Sequence, residues 1–252
     1  MTEYRTETDS MGEIKVPASA RYGAQTQRAI NNFSISGRGL PTSFIAAVAL
    51  IKKTAAQVNR ELGLLDDNIA QAIVQASEAI MDGQYDDQFP VDIFQTGSGT
   101  STNMNVNEVI ANLASEQLQK PVNPNDHVNM SKSSNDVIPT AIHVSAVMQL
   151  EEKLLPALEH LHTSLLGKSV QVEGFVKTGR THLMDAMPVT LSQELEAWTH
   201  QIEANYVRLP ATSHLTENCP TDRQWQWWCR CPSPVPPPWR RLQESPDLPC
   251  RA

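Results

Sequence analysis

Apolar side chains recur along this chain at helical spacing, and polar stretches interrupt them. From Pro41 onward Phe44, Val48, Ile51, Ala55, Val58 and Leu62 follow one another in steps of four and three, a stripe down one helix face. Thr42 or Ser43 is placed to cap its start, and Gly63 to end it. Ile69, Ile73, Ala76 and Ile80 predict a second helix closed by Gly83, and a third is predicted from about Met104 to Gln119. The fourth is the longest, from near Asp136 to about Gly167, with Pro139 in its first turn and Pro156 inside it as an expected kink. Its stripe of Val144, Val147, Leu150, Leu154, Leu158, Leu161 and Leu165 needs partner helices, at roughly 1.5–3 kcal/mol for each side chain buried. A fifth helix starts at Thr190, with Gln193 three residues on in capping-box spacing, and aligns Leu191, Leu195, Trp198, Ile202, Tyr206 and Leu209. Strand signals are sparse and no βαβ alternation appears. The expected class is all-α: an N-terminal helical domain over 1–135, then the first long helices of a truncated central bundle over 136–215.

Three polar segments break the helical pattern: Thr96 to Asn107, Asn123 to Asp136, and Lys177 to Thr190. In the first, TGSGTSTNMNVNE, Gly97 and Gly99 let backbone approach a ligand, and Ser98 and Thr100 offer hydroxyls near a helix start. Composition alone leaves an anion cradle and a flexible linker equally open. In the second, Ser133, Ser134 and Asn135 precede the long fourth helix; they can bind an anion with its free amides, or simply cap it. In the third, His182 lies between Arg180 and Asp185, residues able to orient it for proton transfer; a solvated loop histidine is the plainer alternative. His127 is a weaker candidate on the same grounds. No histidine pair has the spacing of a helical metal site, and no metal is expected.

Composition changes the picture at the C-terminal end. All four cysteines (Cys219, Cys229, Cys231, Cys250) lie beyond residue 218, with four of the five tryptophans and a crowd of prolines. The charge balance is −9 up to residue 215 and +1 beyond it. The CxC spacing fits no structural zinc site, and PSPVPPPWRR is open to docking as polyproline II. The reading carried forward for 216–252 is a non-family tail, disordered or translated in a shifted frame. The net charge of −8 offers no basic surplus for nucleic acid. The longest apolar run, Phe44 to Ile51, is too short for a bilayer, and the start, MTEYRTETDSMGEIKVP, has no secretory pattern. A soluble cytoplasmic protein without membrane partners is expected.

Taken in order, YGAQTQRAINNF, DDQFPVDIFQTGSGTSTNMNVNEVIANLA, NPND…SSNDVIPTAIH and KTGRTHLMDAMPVTLSQE resemble successive blocks of class II fumarase, the iron-independent fumarate hydratase of the fumarase/aspartase superfamily. The resemblance runs from about Thr8 to Leu215. It implies reversible hydration of fumarate to L-malate, no cofactor, and a homotetramer whose active site draws on several subunits. By that resemblance Ser98, Gly99, Thr100, Ser133, Ser134, Asn135 and Thr181 grip the substrate, and His182 is the active-site histidine that orients or activates water. Aspartases usually carry Gln where this chain has His182; an aspartase-like ammonia lyase, or a non-catalytic fragment co-assembling with full-length subunits, are the alternatives. Asn123, Pro124, Asn125 and Asp126 match a secondary carboxylate site, with Asn123 where His is usual. Lys132 stands where Gln is usual. The family's GSS-x-MP-x-K-x-NP block, which carries the proposed catalytic base, occurs nowhere in the sequence, so the chain alone is expected to be inactive.

Overall fold

The computed structural model describes residues 3–213. The tail over 216–252, with its cysteines and prolines, lies outside the described residues. Those that are described form two compact units that divide between Ser145 and Ala146.

The first unit opens with an antiparallel hairpin, β1 (Tyr4–Asp9) and β2 (Gly12–Pro17). Arg5 ties it down: its guanidinium donates to the carbonyls of Pro17, Ala20 and Tyr22 at 3.1, 2.5 and 2.7 Å. Helices α1 (Ala24–Asn32), α2 (Thr42–Glu61), α3 (Asp67–Met81) and α4 (Thr100–Leu118) follow, then a single π-turn, Pro124–Val128, and the start of α5 (Ser134–Gln149). Helix α2 packs on α3 and α4, and α3 on α4, so α2 buries far more than one stripe. Ala47, Val48, Ala49 and Leu50 are all at or below 1% exposed, successive residues pointing in every direction. Ile73 of α3 and Val106, Val109 and Ile110 of α4 complete that core.

The stop signals behave as expected. Gly63 has φ +70°, with Gly63 N–H donating to Arg60 O and Leu64 N–H to Asn59 O, both at 2.9 Å. Gly83 repeats this Schellman arrangement after α3. The start of α2 differs: Pro41 occupies the cap without a side-chain bond, and neither Thr42 nor Ser43 caps it. Proline presets the dihedral of the residue before the helix, and the Phe44 and Ile45 amides close on its carbonyl.

The predicted fourth helix is not continuous. After α5 comes a π-turn, Leu150–Leu154, and then α6 (Leu155–Gln171). Pro156 sits in the first turn of α6, and the turn before it widens because Pro156 cannot donate to the carbonyl four residues back. Because α5 begins at Ser134, Pro139 falls in its second turn, where the Asn135 carbonyl loses its helical donor.

The second unit pairs α6 with α7 (Leu191–Ser213), joined by a hairpin, β3 (Val176–Thr181) and β4 (Met184–Thr190). The Thr190 capping box is present: Gln193 N–H donates to Thr190 Oγ1 at 3.2 Å, and Thr190 N–H to Gln193 Oε1 at 3.0 Å. Large apolar side chains of both helices remain in solvent, among them Leu161, Leu166, Trp198 and Val207. No helix among the described residues is long and apolar enough to cross a membrane.

Candidate active site

The first polar segment is a loop built from its base upward. Asp92 is 5% exposed and accepts from the amides of Ser36, Gly37 and Phe94 and from the Ser36 hydroxyl. Burial pushes this carboxyl up, but those donors outweigh it and hold the pKa at about 2. From that anchor Gln95 spans to α4: its Nε2 donates to Asp92 O and Thr102 Oγ1, and its Oε1 accepts the Thr102 amide at 2.8 Å. Gln95 therefore caps α4 from outside the helix. Gly99 occupies the cap position itself, at φ +65°. A Cβ there would lie 3.0–3.1 Å from three carbons of Ile138, so glycine is required for conformation and for the approach of α5.

That approach joins two helix starts. Ser98 Oγ lies 2.8 Å from Thr100 Oγ1, which lies 3.0 Å from Ser134 Oγ, a chain of three exposed hydroxyls from the first turn of α4 to the first turn of α5. Ser133 caps α5, accepting the Asn135 amide at 3.3 Å, while its carbonyl takes the Asp136 and Val137 amides. Asn135 is exposed. Two helix N-termini, each with partial positive charge, thus face one hydroxyl cluster, an arrangement that favours an anion.

Beneath it lie residues that sequence reasoning missed. Lys52 of α2 is fully buried, and its ammonium donates to Asn103 Oδ1 at 2.7 Å and Asn129 Oδ1 at 2.8 Å. Burial, and then the charge of Lys132, push its pKa well below the ordinary lysine value. Burial likewise lowers Lys132 to about 7. A lysine inside an apolar stripe was the only signal available, and in the sequence it reads as a surface position.

The Asn123–Asp126 segment is the π-turn. Asn123 Oδ1 accepts from the Asn125 and Asp126 amides at 2.8 and 3.1 Å, and Asn123 N–H donates to His127 Nδ1 at 2.9 Å. Asn123 thus has a capping role that a charged imidazolium could not fill. Asn123, Pro124 and Asn125 border an open polar cavity of about 520 Å³, together with Arg5, Arg21 and Glu108.

In the second unit, the third polar segment is the β3–β4 hairpin and not a loop. Thr181 ends β3, and His182 and Leu183 form its two-residue turn at φ +49° and +62°. That geometry usually takes Asn-Gly; two non-glycine residues there carry strain, which concentrates at functional positions. His182 is exposed at the tip. Arg180 and Asp185 pair across the strands in register, and neither hydrogen-bonds to His182, so the expected orienting partners do not orient it. Gly179 sits at the bulge, where a Cβ would be 2.6 Å from Met187 O. The structure therefore gathers Ser98, Gly99, Thr100, Ser133, Ser134 and Asn135 in the first unit and presents Thr181 and His182 in the second.

Comparison with known proteins shows the family. The family model described as lyase matches residues 12–219. The chain is 52% identical over 221 residues to fumarate hydratase class II 2 of Pseudomonas aeruginosa, covering 86% of this chain and 48% of that protein. It is 55% identical over 209 residues to fumarate hydratase class II of Xylella fastidiosa, covering 83% and 44%. Among solved structures, a fumarate lyase:delta crystallin from Brucella melitensis superposes with TM-score 0.82 at 41% identity, over 86% of this chain and 52% of that one. The class II fumarase from Schistosoma mansoni gives TM-score 0.80 at 40% identity, over 85% and 46%. The chain spans about half the length of the curated relatives it matches. It belongs to the lyase family, and resembles that family's class II fumarate hydratases over the length they share.

Proposed function

We propose that this chain carries the substrate-gripping half of a fumarate hydratase site, for the reversible hydration of fumarate to L-malate. The observation that carries the reading is the Ser98–Thr100–Ser134 hydroxyl chain set between the starts of α4 and α5. Removing a proton next to a carboxylate loads that carboxylate with a second negative charge, and fixed donors aimed at it lower the barrier. Ser98, Thr100 and the α4 amides hold one carboxylate; Ser133, Ser134 and Asn135 hold the substrate from α5. Thr181 contributes a hydroxyl, and His182 orients the water. The strained turn that projects His182 supports that role. Asn123 to Asp126 form the secondary carboxylate site, with Asn123, Pro124 and Asn125 bordering the polar cavity.

The finer organisation follows from the same reading. Residues 1–135 form the N-terminal lyase domain and 136–215 the first part of a central helical bundle. The family assembly is a cytoplasmic homotetramer, and the apolar side chains that α6 and α7 leave in solvent support such an assembly. On this reading the chain by itself binds the dicarboxylate.

The test is a titration of fumarate and L-malate into the purified chain, followed on the amides of Gly99, Thr100 and Ser134, with fumarate absorbance monitored for turnover. Saturable shifts that vanish in a Ser98→Ala/Thr100→Ala double variant are expected. No binding, or saturable binding of L-aspartate in preference to fumarate and L-malate, overturns the reading.

A further inference from the structure

A helix start is ordinarily capped by the side chain of the cap residue, whose oxygen lies over the second and third amides of the helix. At α4 that position is Gly99, which has no side chain to offer. Gln95, outside the helix, supplies the oxygen instead: its Oε1 accepts the Thr102 amide, the third of the helix, at 2.8 Å. Its Nε2 donates to Asp92 O at 2.8 Å and to Thr102 Oγ1 at 2.7 Å, so the side-chain amide is fastened at both ends. The Asp92 end is rigid, because the buried Asp92 carboxylate is itself held by Ser36, Gly37 and Phe94. On either side the Gly99 amide closes on Thr96 O at 2.9 Å and the Asn103 amide on Gly99 O at 3.1 Å. The amides of Thr100 and Ser101, between them, donate to no described residue. They belong to the same turn as the Ser98–Thr100 hydroxyl pair, at the positive end of a 19-residue helix.

We propose that Gln95 is a positioning residue for the anion at the start of α4: it occupies the Thr102 amide and so confines a carboxylate to the amides of Thr100 and Ser101. This rests on the reading that the site takes a carboxylate of the substrate. With Thr102 occupied, the anion has one height at which to seat, the one beside the Ser98 and Thr100 hydroxyls. Without Gln95 a third amide opens, and the anion can settle one residue further along the helix. The neutrality of the cap matters as well. An Asp or Glu in this role sets a negative charge against the ligand, whereas Gln95 caps through a dipole alone.

The test is a fumarate titration of the full 252-residue chain, read as amide hydrogen exchange at Thr100, Ser101 and Thr102. In the unmodified chain fumarate should slow exchange at Thr100 and Ser101 and leave Thr102, already protected, unchanged. In Gln95→Met the Thr102 amide should exchange faster without ligand and be slowed by fumarate, with affinity lower by about tenfold, the scale of one hydrogen bond to a charged group. Gln95→Glu keeps an oxygen on Thr102 and should restore its indifference to fumarate. A residue that merely stabilised the loop would leave the pattern of responding amides unchanged. Unchanged affinity in Gln95→Met, with Thr102 still indifferent, overturns the assignment while leaving the dicarboxylate reading intact. Absence of any fumarate effect on the unmodified chain overturns both. If Gln95→Met does not fold, the unmodified chain decides: slowing at Thr102 equal to that at Ser101 overturns the assignment.

Discussion

Gly99→Ala is the sharpest probe of how the two helix starts are held together. Gly99 sits at φ +65° with its Cβ direction pointing at Ile138, three of whose carbons lie 3.0–3.1 Å away. A non-glycine residue in the left-handed region costs about 1–2 kcal/mol. Forcing a methyl against a packed side chain costs about 1–3 kcal/mol more. Together these come to about 2–5 kcal/mol of stability. Part of the clash can be relieved by moving α5 away from α4, which lengthens the 3.0 Å Thr100–Ser134 contact and weakens any anion held across it. Urea unfolding followed by circular dichroism measures the first effect, and fumarate titration the second. Gly97→Ala is the control: its Cβ direction is open, and the cost there should stay within about 0.5 kcal/mol. If Gly99→Ala matches Gly97→Ala in both assays, the account of glycine as the hinge of the site is wrong.

Glu108→Gln should loosen α1, because one carboxylate takes the amides of Gly23, Gln25 and Thr26 and the Thr26 hydroxyl, and an amide group would turn donors toward donors. A loss of about 2–3 kcal/mol is expected, with faster hydrogen exchange confined to the start of α1. Thr190→Ala removes half of the capping box and should cost about 1 kcal/mol, read as a lower melting temperature with α7 fraying first. For Lys132 the folded-state pKa of about 7 lies below the ordinary 10.5, so its penalty is fully present below pH 7 and fades as pH rises toward 10.5. Thermal stability should therefore climb over that window, and Lys132→Gln should flatten the climb; an equally steep climb in the variant would argue against burial of this charge.

Much of the helical framework was legible because a helix needs only local information. Phe44 to Leu62 and Ile69 to Ile80 announce their faces through spacing, and Gly63, Gly83 and the Thr190–Gln193 pair announce their ends through backbone chemistry. The hairpins were not legible. KTGRTHLMDAMPVT alternates poorly, and its turn uses His182-Leu183 where Asn-Gly would have signalled it. Pro41, acting as cap through its fixed dihedral, displaced the expected Thr42 or Ser43.

The sequence by itself determined which residues carry the candidate chemistry, because hydroxyls, glycines and a histidine gathered in three polar segments are visible wherever the chain folds. It also determined family, through long blocks matched in order. Only the tertiary structure decided that Thr100 and Ser134 touch, that Ile138 makes Gly99 obligatory, and that Lys52 is buried on amides from two other segments. Those facts rest on contacts between residues 34 to 77 positions apart. Local spacing carries no trace of such contacts, since they form only when packing brings α2, α4 and α5 to one place.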